Sequence, residues 1–245
     1  MKDLYNKFKI YGFRKFLYAF FHESYKRLIS GYICHSYSQC GEDVVIDKLL
    51  GNKKLGFYID IGAYDPSRFS NTKRFYLKGW CGINIEPDPQ NFKKFVTFRK
   101  RDINLNIGIG SREATLNFFK FFPDTSSTFS KDEASRNKKQ GFKLLREIMV
   151  KVFPLAVVLG KYHKNKPVDF ITIDTEGYDL DVLKGNDWLK FRPTAICIEI
   201  SENIQNHRNS KYQGILRFLN AVGYKKYLDN GTNSIFIDGK KTQLT

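Results

Sequence analysis

Cysteine is scarce in this chain of 245 residues: Cys34, Cys40, Cys81 and Cys197 are the only four, and none forms a Cys-x-x-Cys pair. That pattern excludes a zinc cage or dithiol redox motif and is too sparse for a disulfide scaffold, so we read reduced thiols in a cytoplasmic protein. Long apolar runs are also missing. The longest, such as Val152–Leu159, fall far short of the ~20 residues that a membrane-spanning helix needs. The early cluster Phe16–Phe21 leads into charge instead of a small-residue cleavage site, so no secretory signal is expected. Histidine is limited to His22, His35, His163 and His207. A lone histidine is more often structural than catalytic, although His163 or His207 could reach an acceptor as a base. Thr125-Ser126-Ser127-Thr128 has no nucleophile elbow beside it, which removes serine catalysis; Asp124–Thr128 reads as a turn able to contact an acceptor. Hydrophobic residues at 42% and charged residues at 27% leave an ordinary globular core and exclude disorder.

Acidic charge is the other shortage, with 25 Asp+Glu against 41 Lys+Arg and a net charge of +16. Residues 1–33, 93–101 and 131–166 carry +5, +5 and +7, and the remainder of the chain nets −1. The base therefore sits in an amino-terminal arm, one helix read as a solvated surface helix, and one insertion. Solvated faces explain such runs, as does attraction to an anionic partner: a phospholipid surface, a sugar phosphate or nucleic acid. In the arm, Leu4, Phe8, Tyr11 and then Phe13, Phe16, Phe20 recur at helical spacing among the bases. Residues 1–35 are expected to form a basic helical arm. It either docks on the domain or on a second copy in a homo-oligomer, or holds the protein peripherally on an anionic membrane surface.

Residues 36–245 read as one α/β domain. Phe57–Ile61, Gly82–Ile85, Ile103–Ile107, Phe170–Ile173 and Ala195–Ile200 are short, continuous apolar runs, as parallel strands buried on both faces require. Helical patterns alternate with them at Glu42–Leu50, Asn71–Leu77, Pro89–Phe98, Asp179–Leu183 and Tyr212–Ala221. Gly51 supplies a left-handed cap to the first of these. Tyr224–Leu228 and Asn233–Ile237, joined across Asp-Asn-Gly, predict a closing antiparallel hairpin. Residues 131–167 interrupt the alternation with a basic insertion, expected to be helical and to form a lid.

Tyr58-Ile59-Asp60-Ile61-Gly62-Ala63 is a strand that ends in Asp-x-Gly, where the glycine lets the backbone turn sharply and approach a ligand. Asp60 can accept hydrogen bonds from an ammonium or hydroxyl group. Glu86 closes the next strand, placed as the acid that bonds a ribose diol in nucleotide-type sites. Tyr64, Asp65 and Pro66 stand where a Gly-x-Gly-x-x-Gly loop has its later glycines. A pyrophosphate has less room there, which disfavours NAD and favours S-adenosylmethionine (SAM).

Ser38-Gln39-Cys40-Gly41-Glu42-Asp43, Asp60-Ile61-Gly62-Ala63, Phe69-Ser70-Asn71-Thr72, Ile85-Glu86-Pro87-Asp88-Pro89 and Ile173-Asp174-Thr175-Glu176-Gly177 occur in that order. Over about residues 36–203 the chain resembles the FkbM family of methyltransferases. The resemblance implies a class I SAM-dependent methyltransferase (Rossmann-like) fold, with a mostly parallel seven-stranded sheet that ends in an antiparallel hairpin. It also implies SAM as methyl donor and a hydroxyl acceptor, commonly on a sugar of a polysaccharide, glycolipid or nucleotide-sugar. Carried over residue by residue, it puts Asp60, Gly62, Ala63, Tyr64, Glu86 and Pro87 at the cofactor. Gln39, Asn71 and Asn106 are their expected neighbours, with Asp174 at the reacting end.

Asp174 and Glu176 follow the strand Phe170–Ile173, and Glu199 ends the next one. Ligands in open α/β sheets bind beyond the carboxyl ends of the strands, so the three acids are expected to share a crevice. There they would serve catalysis as a general base or hold Mg²⁺ or Mn²⁺ through hard oxygens. Methylation of a non-sugar small molecule is the alternative enzymatic reading. A basic binding module for RNA or membrane is the non-enzymatic one, and the intact Asp60, Gly62, Glu86 and Asp174 set disfavours it. Nucleic acid is therefore not the expected partner.

Overall fold

The computed structural model describes residues 36–163, 167–200 and 210–240. The arm 1–35 and His207 lie outside the described residues. In chain order the elements are helix α1 (Glu42–Leu49), strand β1 (Phe57–Ile61), α2 (Lys73–Leu77), β2 (Cys81–Ile85), α3 (Pro89–Phe98) and β3 (Ile103–Leu105). Next come β4 (Gly108–Gly110), β5 (Ala114–Phe122), α4 (Lys131–Lys139), β6 (Lys143–Pro154) and α5 (Leu155–Tyr162). The chain continues through β7 (Phe170–Ile173), α6 (Asp179–Lys184), β8 (Ala195–Glu199), α7 (Ser210–Ala221), β9 (Tyr224–Asp229) and β10 (Asn233–Asp238).

Seven strands form the main sheet in the order β3-β2-β1-β7-β8-β10-β9. The first five are parallel, and β10 runs antiparallel to both β8 and β9. This is the class I methyltransferase sheet, with its reversed strand supplied by the hairpin. Every residue of β1 and β7 is buried, which is why both read as continuous rather than alternating apolar runs. Phe57, Ile59 and Ile61 pack on one face against α5, α6 and α7. Tyr58 packs on the other with Ile46 of α1, Phe75 of α2, and Trp80. Asp60 shares that second face, since alternate residues of a strand point the same way.

Local signals act as the sequence suggests. Gly51 takes φ 66 and donates its N–H to the Lys48 carbonyl at 2.9 Å, ending α1. The Asp88 carboxylate accepts from Gln90 N at 2.8 Å and Pro89 opens the first turn of α3. At the hairpin, Gly231 adopts φ 84 between β9 and β10.

Two expectations change. The segment 131–167 is not a helical insertion: helix α4, the 12-residue strand β6 and helix α5 follow one another through it. β6 pairs antiparallel with β5 from Ala114↔Val152 to Phe122↔Lys143 and parallel with β4, building a second sheet of order β4-β6-β5. Helix-forming Leu, Arg, Glu and Met in 144–149 mask the strand, and pairing with β5 overrides their propensity. The run 93–101 is also not wholly a solvated face. Arg99 is 0% exposed, held by partners distant in sequence that a local charge pattern cannot show.

Candidate active site

The chain order reverses across β1, whose neighbours are β2 and β7, and a cavity of about 260 Å³ opens at the carboxyl ends of these strands. Gly62 makes the turn that shapes it, at φ 76. A Cβ there would lie 1.7 Å from the Asp174 carbonyl oxygen, so β1 and β7 touch through a position open only to glycine. Gly62 N and Ala63 N donate to the Ile85 carbonyl at 3.0 and 3.1 Å, tying the same turn to β2.

Asp60 and Glu86 both reach the cavity. Thr72 Oγ1 donates to Asp60 Oδ2 at 2.6 Å. Burial nevertheless raises the Asp60 carboxyl to about 6, against the lowering effect of that bond and of Arg99. Glu86 accepts from Tyr64 N at 2.7 Å and from Asp88 N at 2.8 Å, one on each oxygen. Burial outweighs both bonds and pushes it up to about 8. Tyr64 reaches Glu86 only because it takes the left-handed backbone, φ 54.

Gln39, Ala63, Tyr64, Asn71 and Pro87 line the cavity as well. The Asn71 amide donates to Thr172 Oγ1 at 2.9 Å, bridging the loop after β1 to β7. Asn106 is not on the wall: its amide donates to the carbonyls of Glu86 and Pro87 at 2.8 and 3.0 Å and holds that turn in place from outside. The Ser38–Asp43 motif is chiefly architectural. Ser38 Oγ donates to Asp43 at 3.0 Å, and buried Glu42 accepts from the amides of Asn230 and Asn233 at 2.8 and 2.7 Å. Those bonds fasten the Gln39 loop to the β9–β10 turn.

At the far end, carboxylate oxygens of Asp174, Glu176 and Glu199 lie within 4.8 Å of one another. Desolvation in the crevice lifts the Asp174 carboxyl to about 6, opposed by a hydrogen bond with Glu199 and aided by Asp179 and Asp60. Glu199 is raised well above the carboxylate range, first by burial and then by the charges of Asp174 and Glu176. Glu176 is also raised, first by burial and then by the charges of Asp174, Asp179 and Glu133. Of Asp174 and Glu199, Glu199 is the carboxyl pushed further toward its protonated form. Glu176 sits at φ 51 in a loop that buried Asp179 clamps by accepting from Thr175 N, Thr175 Oγ1 and Gly177 N at 3.0, 2.8 and 3.1 Å. Three converging hard oxygens can share a proton or bind a divalent cation.

The turn Asp124–Thr128, read as able to contact an acceptor, borders the cavity through Asp124, Thr125 and Ser127. Phe118 and Phe129, which complete the wall, were not foreseen because they depend on the β5–β6 pairing. Phe69, also on the wall, was noted only as part of a motif. Its φ of 55 has no local sequence signal. His163 stands off from the site, edge-on to the rings of Phe57 and Phe191 at 5.3 and 5.8 Å, which removes it as a base.

The sequence profile described as Methyltransferase FkbM domain matches residues 60–226. No curated protein matches the chain. Among solved structures, the METTL16 MTase domain is 13% identical over 80% of this chain, with a TM-score of 0.45, and the chain spans 66% of that domain's length. A TehB-like SAM-dependent methyltransferase from Corynebacterium glutamicum is 10% identical, covering 89% of this chain and 96% of that one at a TM-score of 0.44. An O-methyltransferase from Bacillus cereus in complex with SAH is 14% identical over 86% of this chain and 84% of its own, with a TM-score of 0.40. The profile begins at Asp60, the strand-end acid of the crevice, and runs over more than half of the chain: the protein belongs to the FkbM family of SAM-dependent methyltransferases.

Proposed function

We propose that the protein transfers a methyl group from SAM to a hydroxyl of a saccharide: a polysaccharide, a glycolipid or a nucleotide-sugar. The carrying observation is the cluster of Asp174, Glu176 and Glu199 at one end of the same cavity that holds Asp60 and Glu86. The residues present suit the cofactor. Asp60 offers a carboxylate to an ammonium group, and the Glu86 carboxyl group is placed to meet ribose hydroxyls. The backbone N–H groups of Tyr64 and Asp88 are spent on Glu86, so they are not aimed at a phosphate. Gln39, Ala63 and Pro87 close around the site, and Asn71 braces its floor.

When bound, SAM supplies an electrophilic methyl carbon on a sulfonium. A sugar hydroxyl is a weak nucleophile at neutral pH. Asp174, its carboxyl raised to about 6, would accept the proton of the acceptor hydroxyl and leave that oxygen as the nucleophile. Protonated Glu199 stabilises the Asp174 carboxylate before transfer. In the metal form of the same reading, the three acids would hold Mg²⁺ or Mn²⁺, which would supply a Lewis acid for the hydroxyl. A hydroxylated non-sugar small molecule is the second reading, favoured by the rings of Phe69, Phe118 and Phe129 on the wall.

SAM binding by calorimetry, then methyl transfer to nucleotide-sugars, oligosaccharides and hydroxylated aromatics with and without EDTA, tests all three points. Transfer to a saccharide is expected. Transfer confined to non-sugars would replace the acceptor class, and activity indifferent to EDTA would remove the metal.

A further inference from the structure

Behind the cofactor acid lies a buried polar network that the reaction described so far leaves unused. Arg99, at the end of α3, is 0% exposed. Its guanidinium donates to the Pro66 carbonyl through Nε at 3.1 Å and Nη2 at 2.8 Å. It also donates to Ser70 Oγ at 3.0 Å, Thr72 Oγ1 at 3.3 Å and the Tyr58 hydroxyl at 2.9 Å. Asp102, 3.8 Å away, balances its charge.

A guanidinium only donates, so each hydroxyl that meets it must spend its own proton elsewhere. The Tyr58 hydroxyl spends its proton on Asp102 at 2.6 Å. Ser70 Oγ already accepts from Arg99 and from Lys73 N at 3.1 Å, which leaves its proton for Thr72 Oγ1 at 3.3 Å. Thr72 Oγ1 thus accepts from Arg99 and Ser70, and its proton has one destination, Asp60 Oδ2 at 2.6 Å. Among the described residues this is the only hydrogen bond the Asp60 carboxylate receives, so Oδ1 is left to a ligand in the cavity that Asp60 lines. The same guanidinium grips Pro66 and Ser70, the two ends of the loop that carries Phe69.

We propose that Thr72 and Arg99 are positioning residues that fix the rotation of the Asp60 carboxylate so that Oδ1 receives the α-ammonium group of the cofactor. The proposal rests on the cofactor site assigned above. Arg99 orients Thr72, Thr72 occupies one oxygen of Asp60, and only the second oxygen remains for the ammonium. Lysine at 99 has neither the planar fork nor enough donors to make these bonds together.

The test compares two probes on the full-length chain by calorimetry: S-adenosylhomocysteine and 5′-methylthioadenosine, which keeps the nucleoside and lacks the ammonium-bearing amino-acid arm. Thr72→Val keeps the shape and removes the hydroxyl. It is expected to weaken S-adenosylhomocysteine about tenfold and 5′-methylthioadenosine by no more than about twofold, the scale of one charge-assisted hydrogen bond. Thr72→Ser should bind both like wild type, and Arg99→Lys should follow Thr72→Val. Equal weakening of both probes in Thr72→Val marks a general structural effect and overturns the proposal. If Asp60→Asn loses S-adenosylhomocysteine while Thr72→Val loses nothing, the relay is wrong and the cofactor site stands. If Asp60→Asn binds both probes normally, the Asp60 assignment fails and the relay fails with it.

Discussion

Two acids with similar burial differ in this crevice by what touches them. Asp60 accepts from one hydroxyl and Glu86 from two backbone N–H groups; these bonds favour the charged forms, yet burial raises the carboxyls to about 6 and about 8. In the proposed reading both bind the donor, so Asp60→Ala and Glu86→Ala should each weaken SAM by ten- to a hundredfold, about 1.5–3 kcal/mol. Unchanged affinity by calorimetry in both variants would take the donor away from this end. In the proposed reading Asp174 serves the acceptor. Asp174→Asn should cut turnover by about 10²-fold or more, the scale of lost general-base catalysis, with a much smaller change in SAM affinity. Near-normal turnover of Asp174→Asn and Glu176→Gln at saturating acceptor would remove both from the mechanism.

At the scale of elements, the crevice exists because β1 and β7 meet through the turn at Gly62. Gly62→Ala adds left-handed strain and drives a Cβ into the Asp174 carbonyl, a backbone atom that cannot rotate away. Gly141, at the end of α4, shares the positive φ (84) but has nothing within 4 Å of its would-be Cβ. Gly141→Ala should therefore cost about 1 kcal/mol, the strain alone, while Gly62→Ala should cost several and abolish SAM binding. Equal losses in urea denaturation would show that the close approach to β7 does not matter. The second sheet is tied to the end of the main one: Thr128 Oγ1, beside β5, donates to the Glu176 carbonyl at 2.8 Å and so joins the inserted strands to the loop after β7.

For the whole molecule, a buried acid with a raised pKa links stability to pH. Glu86 has an ordinary value of 4.5 when unfolded and titrates near 8 when folded, so the folded chain holds the proton more tightly. Its contribution is full below about 4.5 and is lost as pH rises through about 8. Relative to Glu86→Gln, whose side chain cannot ionise, wild type should lose melting temperature between pH 5 and pH 9. A constant difference across that range would mean that Glu86 is not perturbed. The arm, with its net +5 and aromatic stripe, gives a separate expectation. Deleting residues 1–30 should leave SAM binding intact and reduce sedimentation with anionic vesicles or change the oligomeric state. Matching behaviour in vesicle sedimentation and light scattering would leave the arm with neither role.

The parallel sheet, its closing hairpin and the strand-end places of Asp60 and Glu86 were legible in the sequence because each is written in a local pattern. Phe57–Ile61 is apolar without alternation since both faces are covered, and an acid two residues before Gly62 marks the strand end. Asp229–Asn233 turns where its glycine allows. Other features follow from partners far along the chain. A basic run at 93–101 looks solvated until Tyr58, Pro66, Ser70 and Thr72 enclose Arg99. Residues 143–154 look helical until β5 offers nine residues of ladder. Asp174, Glu176 and Glu199 are three separate acids until parallel strands bring their oxygens within 4.8 Å. Periodicity and turn chemistry act within a few residues, and the sequence by itself determined those. Burial, proton sharing and the direction in which Thr72 spends its proton are set by contacts across 12 to 48 residues or more, and only the tertiary structure decided them.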